Sequence, residues 1–182
     1  MGTSKQKSSK YRQARYQNVG GQARLWAPWR INYVGAAKKK AGTCLFCDAY
    51  AHSSRHQVIF KTAHSVAMLN IYPYNNGHVM VAPGRHVRDL TPLKDYEILD
   101  IFRSLDRAKS LLKRCLRPDG FNIGMNIGRA GGAGITGHLH VHLVPRWAGD
   151  TNFMPALSGT KVISQSLEEL LTLLRNAHKD SR

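Results

Sequence analysis

The stretch Gly137-His138-Leu139-His140-Val141-His142-Leu143-Val144-Pro145 decides how this chain is read. In an extended strand successive side chains point to opposite faces. The three histidines therefore share one face, and Leu139, Val141 and Leu143 share the other. The apolar face belongs to the core, which leaves the opposite face carrying imidazoles about 6.6 Å apart. Directly upstream, Gly128-Arg129-Ala130-Gly131-Gly132-Ala133-Gly134 holds four glycines in seven residues. Such a loop lets backbone N–H groups close on an anion such as phosphate. Imidazole is largely neutral near pH 7, and its bare nitrogen is a nucleophile towards phosphorus. Three histidines also suit a metal, although no carboxylate stands nearby to complete a triad. Spacing alone leaves both readings open.

Working outward, Val58–Lys61, Ser65–Asn70 and His78–Ala82 read as short strands, each bounded by turn formers. Asn75-Asn76-Gly77 marks a turn. Thr91-Pro92 announces a helix with Thr91 as N-cap and Pro92 in its first turn. Leu93, Ile98, Ile101, Phe102, Leu105, Leu112 and Leu116 then recur at helical spacing over 92–116, until Pro118-Asp119-Gly120 stops the run. Phe121–Ile127 and Leu139–Val144 are two further strands, and Val162-Ile163 a possible extension of the sheet. Ser166–His178 reads as a C-terminal helix, Ser166 capping with Glu169 three residues on. One long helix among short strands indicates an α+β domain: an antiparallel sheet of about five strands with the long helix and a C-terminal helix.

Length and charge divide the chain unevenly. In 182 residues there are 27 Lys and Arg against 11 Asp and Glu, a formal charge of +16. Residues 1–40 hold ten of the basic residues and no acid, so the excess is concentrated at the N-terminus. Residues 1–23 read as a basic, disordered arm whose charge suits nucleic acid or another polyanion. This segment has no apolar stretch of the kind a secretory signal carries. Residues 24–182 form the folded domain, beginning at Leu25-Trp26-Ala27-Pro28-Trp29-Arg30, whose two indoles should pack onto it. A hydrophobic content of 42% supports one proper core, and no apolar run approaches the ~18 residues of a membrane span. Three cysteines, two of them in Cys44-x-x-Cys47, suit a reducing, cytoplasmic setting. That spacing is a metal knuckle, a redox pair or coincidence. The surrounding residues read as a compact loop.

His-x-His-x-His followed by apolar residues resembles the signature of the histidine-triad (HIT) superfamily of nucleotide hydrolases and transferases. Ser65–Asn70 and Gly77–Pro83 look like that family's nucleoside-binding strands. Leu25–Arg30, Tyr72-Pro73-Tyr74-Asn75, Val144-Pro145-Arg146-Trp147 and Gly149–Phe153 resemble the branch that includes bacterial diadenosine tetraphosphate phosphorylases. The resemblance spans roughly residues 24–165.

It implies a division of labour. His140 would attack the α-phosphorus, and His142 would contact the same phosphate. Asn70 would bind the ribose, Asn126 the phosphates or ribose, and Gly131, Gly132 and Gly134 the phosphates, with Met68 and Met80 lining the base pocket. Relatives often have Ser, Thr or Gln just after the glycine run. Here Gly134 and Ile135 stand there, with Thr136 the nearby hydroxyl. Cys44, Cys47, His86 and His138 would hold a structural zinc, closed to substrate. His78 would support the site through a hydrogen bond, and Cys115 would be a small buried hydrophobe. The expected reaction is nucleotidyl transfer through an adenylyl-histidine, with inorganic phosphate as acceptor in a phosphorylase and water in a hydrolase. A homodimer is the expected assembly.

Overall fold

The computed structural model describes residues 43–150 and 163–181, together with Asn18–Val19 and Gln22–Ala23. The chain divides into two compact units, Met1–Lys38 and Lys39–Arg182. In the first, β1 (Asn18–Val19) pairs antiparallel with β2 (Gln22–Ala23). The packing expected of Leu25–Arg30 and of Val162 lies outside the described residues, and so does most of the basic arm.

The second unit runs α1 (Leu45–Ala51), β3 (Val58–Lys61), β4 (Ser65–Leu69), β5 (Val79–Pro83), α2 (Asp95–Leu116), β6 (Gly120–Met125), β7 (Val141–Arg146) and α3 (Leu167–Lys179). Its five strands form one antiparallel sheet in the order β3-β4-β5-β7-β6. Alternation along the strands sorts the core into two layers. Ala67, Leu69, Val79, Val81, Val141 and Leu143 face α2 and α3, where they meet Ile101, Leu105, Ala108, Leu112, Leu170 and Leu174. Val66, Met68, Met80 and Ala82 face the other way, onto Phe46 and Ala49 of α1. This is the α+β sandwich expected from the sequence, with α1 as an additional helix on the histidine side.

Three local expectations are corrected. The Cys44–Cys47 segment is helical rather than a loop: Cys44 is the N-cap of α1, its carbonyl accepts from Asp48 N–H at 2.9 Å, and Phe46 and Ala49 bury one apolar face. Helix α2 begins at Asp95 with Lys94 as N-cap, three residues after Thr91-Pro92. Pro92 cannot open it, because its carbonyl accepts from Arg85 Nη2 at 2.6 Å and Leu93 N–H closes a turn onto Leu90. Glu97 supplies the start instead, taking Lys94 N–H at 2.9 Å and Arg85 Nε at 3.0 Å. Ile98 and Phe102, assigned above to the core stripe, are exposed; the buried face runs through Ile101, Ser104, Leu105, Ala108, Leu111 and Leu112.

At its end, α2 closes on Arg117 in the left-handed region (φ 48°), whose N–H reaches Lys113 O, and Pro118 follows. Ser166 caps α3 as expected, accepting from Glu169 N–H at 3.2 Å. The turn before β5 requires glycine: Gly77 has φ +74°, and a Cβ there would lie 2.7 Å from Leu116 Cδ1.

Candidate active site

The register collects the chemistry on one face of the sheet. His142 pairs with Met80 on β5 and with Gly124 on β6, and Met80 pairs with Met68 on β4. Residues two away keep the same face. His140 and His78 lie beside His142, ring centroids 4.9 and 5.1 Å away, and Asn70 follows through its contact with His78, while Asn126 comes two residues after Gly124, just past the end of β6. The β5–β7 ladder stops at Val81↔Val141, so His138 and His140 precede β7 rather than sit in it. Pro83 has no N–H to extend the ladder, and Leu139 N–H turns instead to Val87 O at 2.6 Å. The alternation survives: His138 and His140 both contact Phe46, and the His140 and His142 rings lie edge to face at 4.9 Å.

Hydrogen bonding fixes the proton position on each ring, because a carbonyl oxygen only accepts. His138 Nε2–H donates to Pro83 O at 2.9 Å, which leaves Nδ1 bare. His140 Nδ1–H donates to His138 O at 2.9 Å, which leaves Nε2 bare. Burial pushes the pKa of both rings below the ordinary imidazole range, so both are neutral at pH 7. His140 is only 4% exposed, packed between Phe46 and His142. His78 is fully buried, and burial, then the neighbouring His142 and His140, drives its pKa down to about 3. Its Nδ1 accepts from Tyr74 N–H at 3.0 Å, so its proton sits on Nε2, 2.9 Å from His142 Nδ1. The hydrogen-bonding role expected of His78 is present.

The bare Nδ1 of His138 points at the cysteines. It lies 3.3 Å from Cys44 Sγ and 3.6 Å from Cys47 Sγ, while His86 Nδ1 lies 3.2 Å from Cys47 Sγ. All four ligand atoms fall within 4.8 Å of one another. A tetrahedron with ordinary zinc–sulfur and zinc–nitrogen bonds has S···N edges of about 3.5 Å, which these distances match. Burial, and then the adjacent Cys44, raise the Cys47 thiol to about 11, so thiolate ligation needs a cation's compensating charge. The four residues fit a closed metal site. His52 and His56 lie outside this cluster and bond to Asp48 at 2.9 and 2.6 Å. His64 lies tilted against Tyr96, ring centroids 4.7 Å apart.

Other candidates are distributed as follows. Asn70 Oδ1 accepts from Tyr72 N–H at 2.9 Å, and its Nδ2 lies 3.4 Å from His78 Nδ1. Met68 and Met80 are buried in the α1 cluster, and Ile135 from the glycine-rich loop packs on the same cluster, which brings that loop to the histidine face. Within the loop Gly132 N–H donates to Arg129 O at 3.0 Å and Ala133 N–H to Gly128 O at 3.2 Å. A Cβ at Gly131 would come within 2.4 Å of Ile127 O. Cys115 packs half-buried against the helix-side core.

Two contributors were not singled out from sequence. Phe46, inside the Cys44–Cys47 knuckle, backs both His138 and His140. Tyr74 lies 4.6 Å from His78 and 5.6 Å from His142. The sequence signals were an aromatic between the two cysteines and another three residues before Gly77-His78.

Comparison with known proteins agrees with this geometry. A family model described as the HIT domain matches residues 52–149. The AP-4-A phosphorylase of Mycobacterium tuberculosis is 39% identical over 159 residues, 83% of this chain and 82% of that protein. The asymmetrical bis(5'-nucleosyl)-tetraphosphatase of Schizosaccharomyces pombe is 34% identical over 94 residues, 52% of this chain and 51% of that protein. Among solved structures, a Zn-bound histidine triad family protein from Mycobacterium smegmatis superposes with a TM-score of 0.62 at 28% identity, covering 76% of this chain and 96% of that one. A fold, a histidine row and a domain match spanning more than half its length place this chain in the HIT family.

Proposed function

We propose that this protein transfers an adenylyl group from a dinucleoside polyphosphate, diadenosine tetraphosphate above all, to inorganic phosphate. One observation carries the reading: His140 is a neutral imidazole whose Nδ1–H is held by His138 O, so its lone pair is on Nε2. That nitrogen attacks the α-phosphorus, and the bond from phosphorus to the bridging oxygen breaks, releasing ATP. Phosphate then attacks the adenylyl-histidine, giving ADP and restoring His140. Asn70 holds the ribose, and Asn126, just past the end of β6, contacts phosphate or ribose. The loop N–H groups at Gly131 and Gly134 meet the phosphates, with Gly132 shaping the turn. Met80 and Met68 form the apolar floor under the base. The 39% identity to a phosphorylase over most of both chains supports phosphate as acceptor. Incubation with diadenosine tetraphosphate and phosphate should yield ATP and ADP; AMP formed at any phosphate concentration would establish the hydrolase instead.

Zinc in the Cys44, Cys47, His86 and His138 site would act as a staple, since all four positions are filled by protein. The assembly is a homodimer across β6. Ile123 and Met125 pair with Leu143 and Val141, so they share the helix face of the sheet. They are exposed there at the sheet edge, as are Ile98, Leu99 and Phe102 on α2, Phe102 at 61% and Ile123 at 55%. A second copy adding its own edge strand covers both. The basic arm supports a further contact with polyanions such as nucleic acid, and removing residues 1–23 should weaken that binding without changing turnover.

A further inference from the structure

We propose that Asn75 and Asp150 form a latch that determines which nitrogen of His142 carries the proton; this rests on the reading of His140 and His142 as the pair that handles the phosphate. Asn75 is 6% exposed, and its Nδ2 donates to Pro145 O at 3.0 Å and to Asp150 Oδ2 at 2.8 Å. Asp150 is itself fixed by Arg146, Nε to Oδ2 at 2.5 Å and Nη2 to Oδ1 at 3.0 Å, and by Trp147 N–H at 3.3 Å. The turn before β5 is thereby tied to the end of β7, across 75 positions of sequence.

The tie bears on chemistry because of what precedes Asn75. Tyr74 N–H is the donor that occupies His78 Nδ1. With that nitrogen occupied, neutral His78 keeps its proton on Nε2 and donates it to His142 Nδ1. His142 in turn must carry its own proton on Nε2, as a donor to a phosphate oxygen. In the opposite tautomer Nε2 would present a lone pair to that oxygen and repel it. Asn70 Nδ2 reaches His78 Nδ1 only at 3.4 Å, so Tyr74 N–H is the better-placed donor. Asn75 and Asp150 are thus positioning residues, acting through Tyr74 and His78. Three of the stretches that resemble the phosphorylase branch, Tyr72–Asn75, Val144–Trp147 and Gly149–Phe153, contribute residues to this latch.

The test reads the tautomer directly, by imidazole nitrogen-15 NMR on the full-length, nucleotide-free protein, alongside steady-state kinetics. The unchanged protein should show His142 protonated on Nε2. Asn75→Ala and Asp150→Ala should each give a mixture of tautomers and lower kcat at least about tenfold while KM stays within about twofold. Asp150→Asn keeps an oxygen acceptor for Asn75 and should keep the original tautomer. A folded Asn75→Ala or Asp150→Ala protein whose His142 tautomer is unchanged would overturn the latch, whatever its activity. The spectrum needs no turnover, so failure of the unchanged protein to cleave a dinucleotide would remove the functional reading and leave the latch to be decided by the tautomer.

Discussion

Phe46 stacks on His140, ring centroids 4.9 Å apart and planes inclined by 30°, and reaches His138 at 5.2 Å. One phenyl group lying between Cys44 and Cys47 thus backs both His138, which faces the cysteines, and His140. Phe46→Ala should destabilise the domain by about 3–5 kcal/mol in urea unfolding, because a fully buried ring is lost. Phe46→Leu should recover most of that stability yet leave turnover reduced, since an aliphatic chain fills the space without presenting a flat face to His140. Equal activity in the Leu variant and the unchanged protein would show that the stacking has no catalytic part.

The four-ligand cluster predicts one metal ion per chain, read by elemental analysis of purified protein. A tight ion bound only by the folded state adds about 4 kcal/mol at a thousandfold excess over Kd. A strong chelator should therefore lower the melting temperature of the unchanged protein and have no effect on Cys47→Ser. Activity should fall in step with unfolding rather than before it, because the ion offers no position to substrate.

The lowered pKa of His78 makes a prediction about acid. The folded ring titrates near 3, and an unfolded histidine near 6.5. The unfolded chain therefore binds the extra proton between those values, and stability is full above about pH 6.5 and lost as pH falls towards 3. The slope for this one group is up to about 1.4 kcal/mol per pH unit. His138 and His140, also lowered by burial, act in the same direction. Glu97, held below the usual carboxylate range by Arg85, contributes only lower down, where its stabilisation is present above about pH 4.5 and lost beneath it. Urea unfolding between pH 7 and 5 should thus show a falling stability that His78→Gln makes shallower and Glu97→Gln does not.

The row of histidines was legible in the sequence because a period of two admits only one arrangement on a strand whose other face is Leu139, Val141 and Leu143. The roles of Met68, Met80, Asn70 and Asn126 came from the family resemblance instead, as did the choice of the two cysteines and two histidines that meet in space. The rest depended on contacts between distant segments. No local signal says that Pro92 O is engaged by Arg85, which delays α2 to Asp95. Nor does the Cys44–Cys47 spacing reveal a helix, since the burial of Phe46 and Ala49 against β4 and β5 is what favours one. Phe102 recurred at core spacing but belongs to the outer face, a distinction that three-and-four periodicity blurs at the edge of a stripe.

Exposed Phe102 and Ile123 lead to a prediction about assembly. Phe102→Glu and Ile123→Glu should each shift the protein from dimer to monomer in light scattering, with the melting temperature of the monomer near that of the original at low concentration. A monomeric unchanged protein, or dimers in both variants, would remove β6 and α2 as the joining surface.

The most direct measurement is to trap the covalent species. The unchanged protein is mixed with adenine-labelled diadenosine tetraphosphate in the absence of inorganic phosphate and quenched in alkali, and the labelled peptide is sequenced by mass spectrometry. The account predicts an adenylyl group on His140, discharged to ADP when phosphate is added before the quench and missing from His140→Gly. Label on any other residue, or turnover to ATP and ADP by His140→Gly, would contradict it.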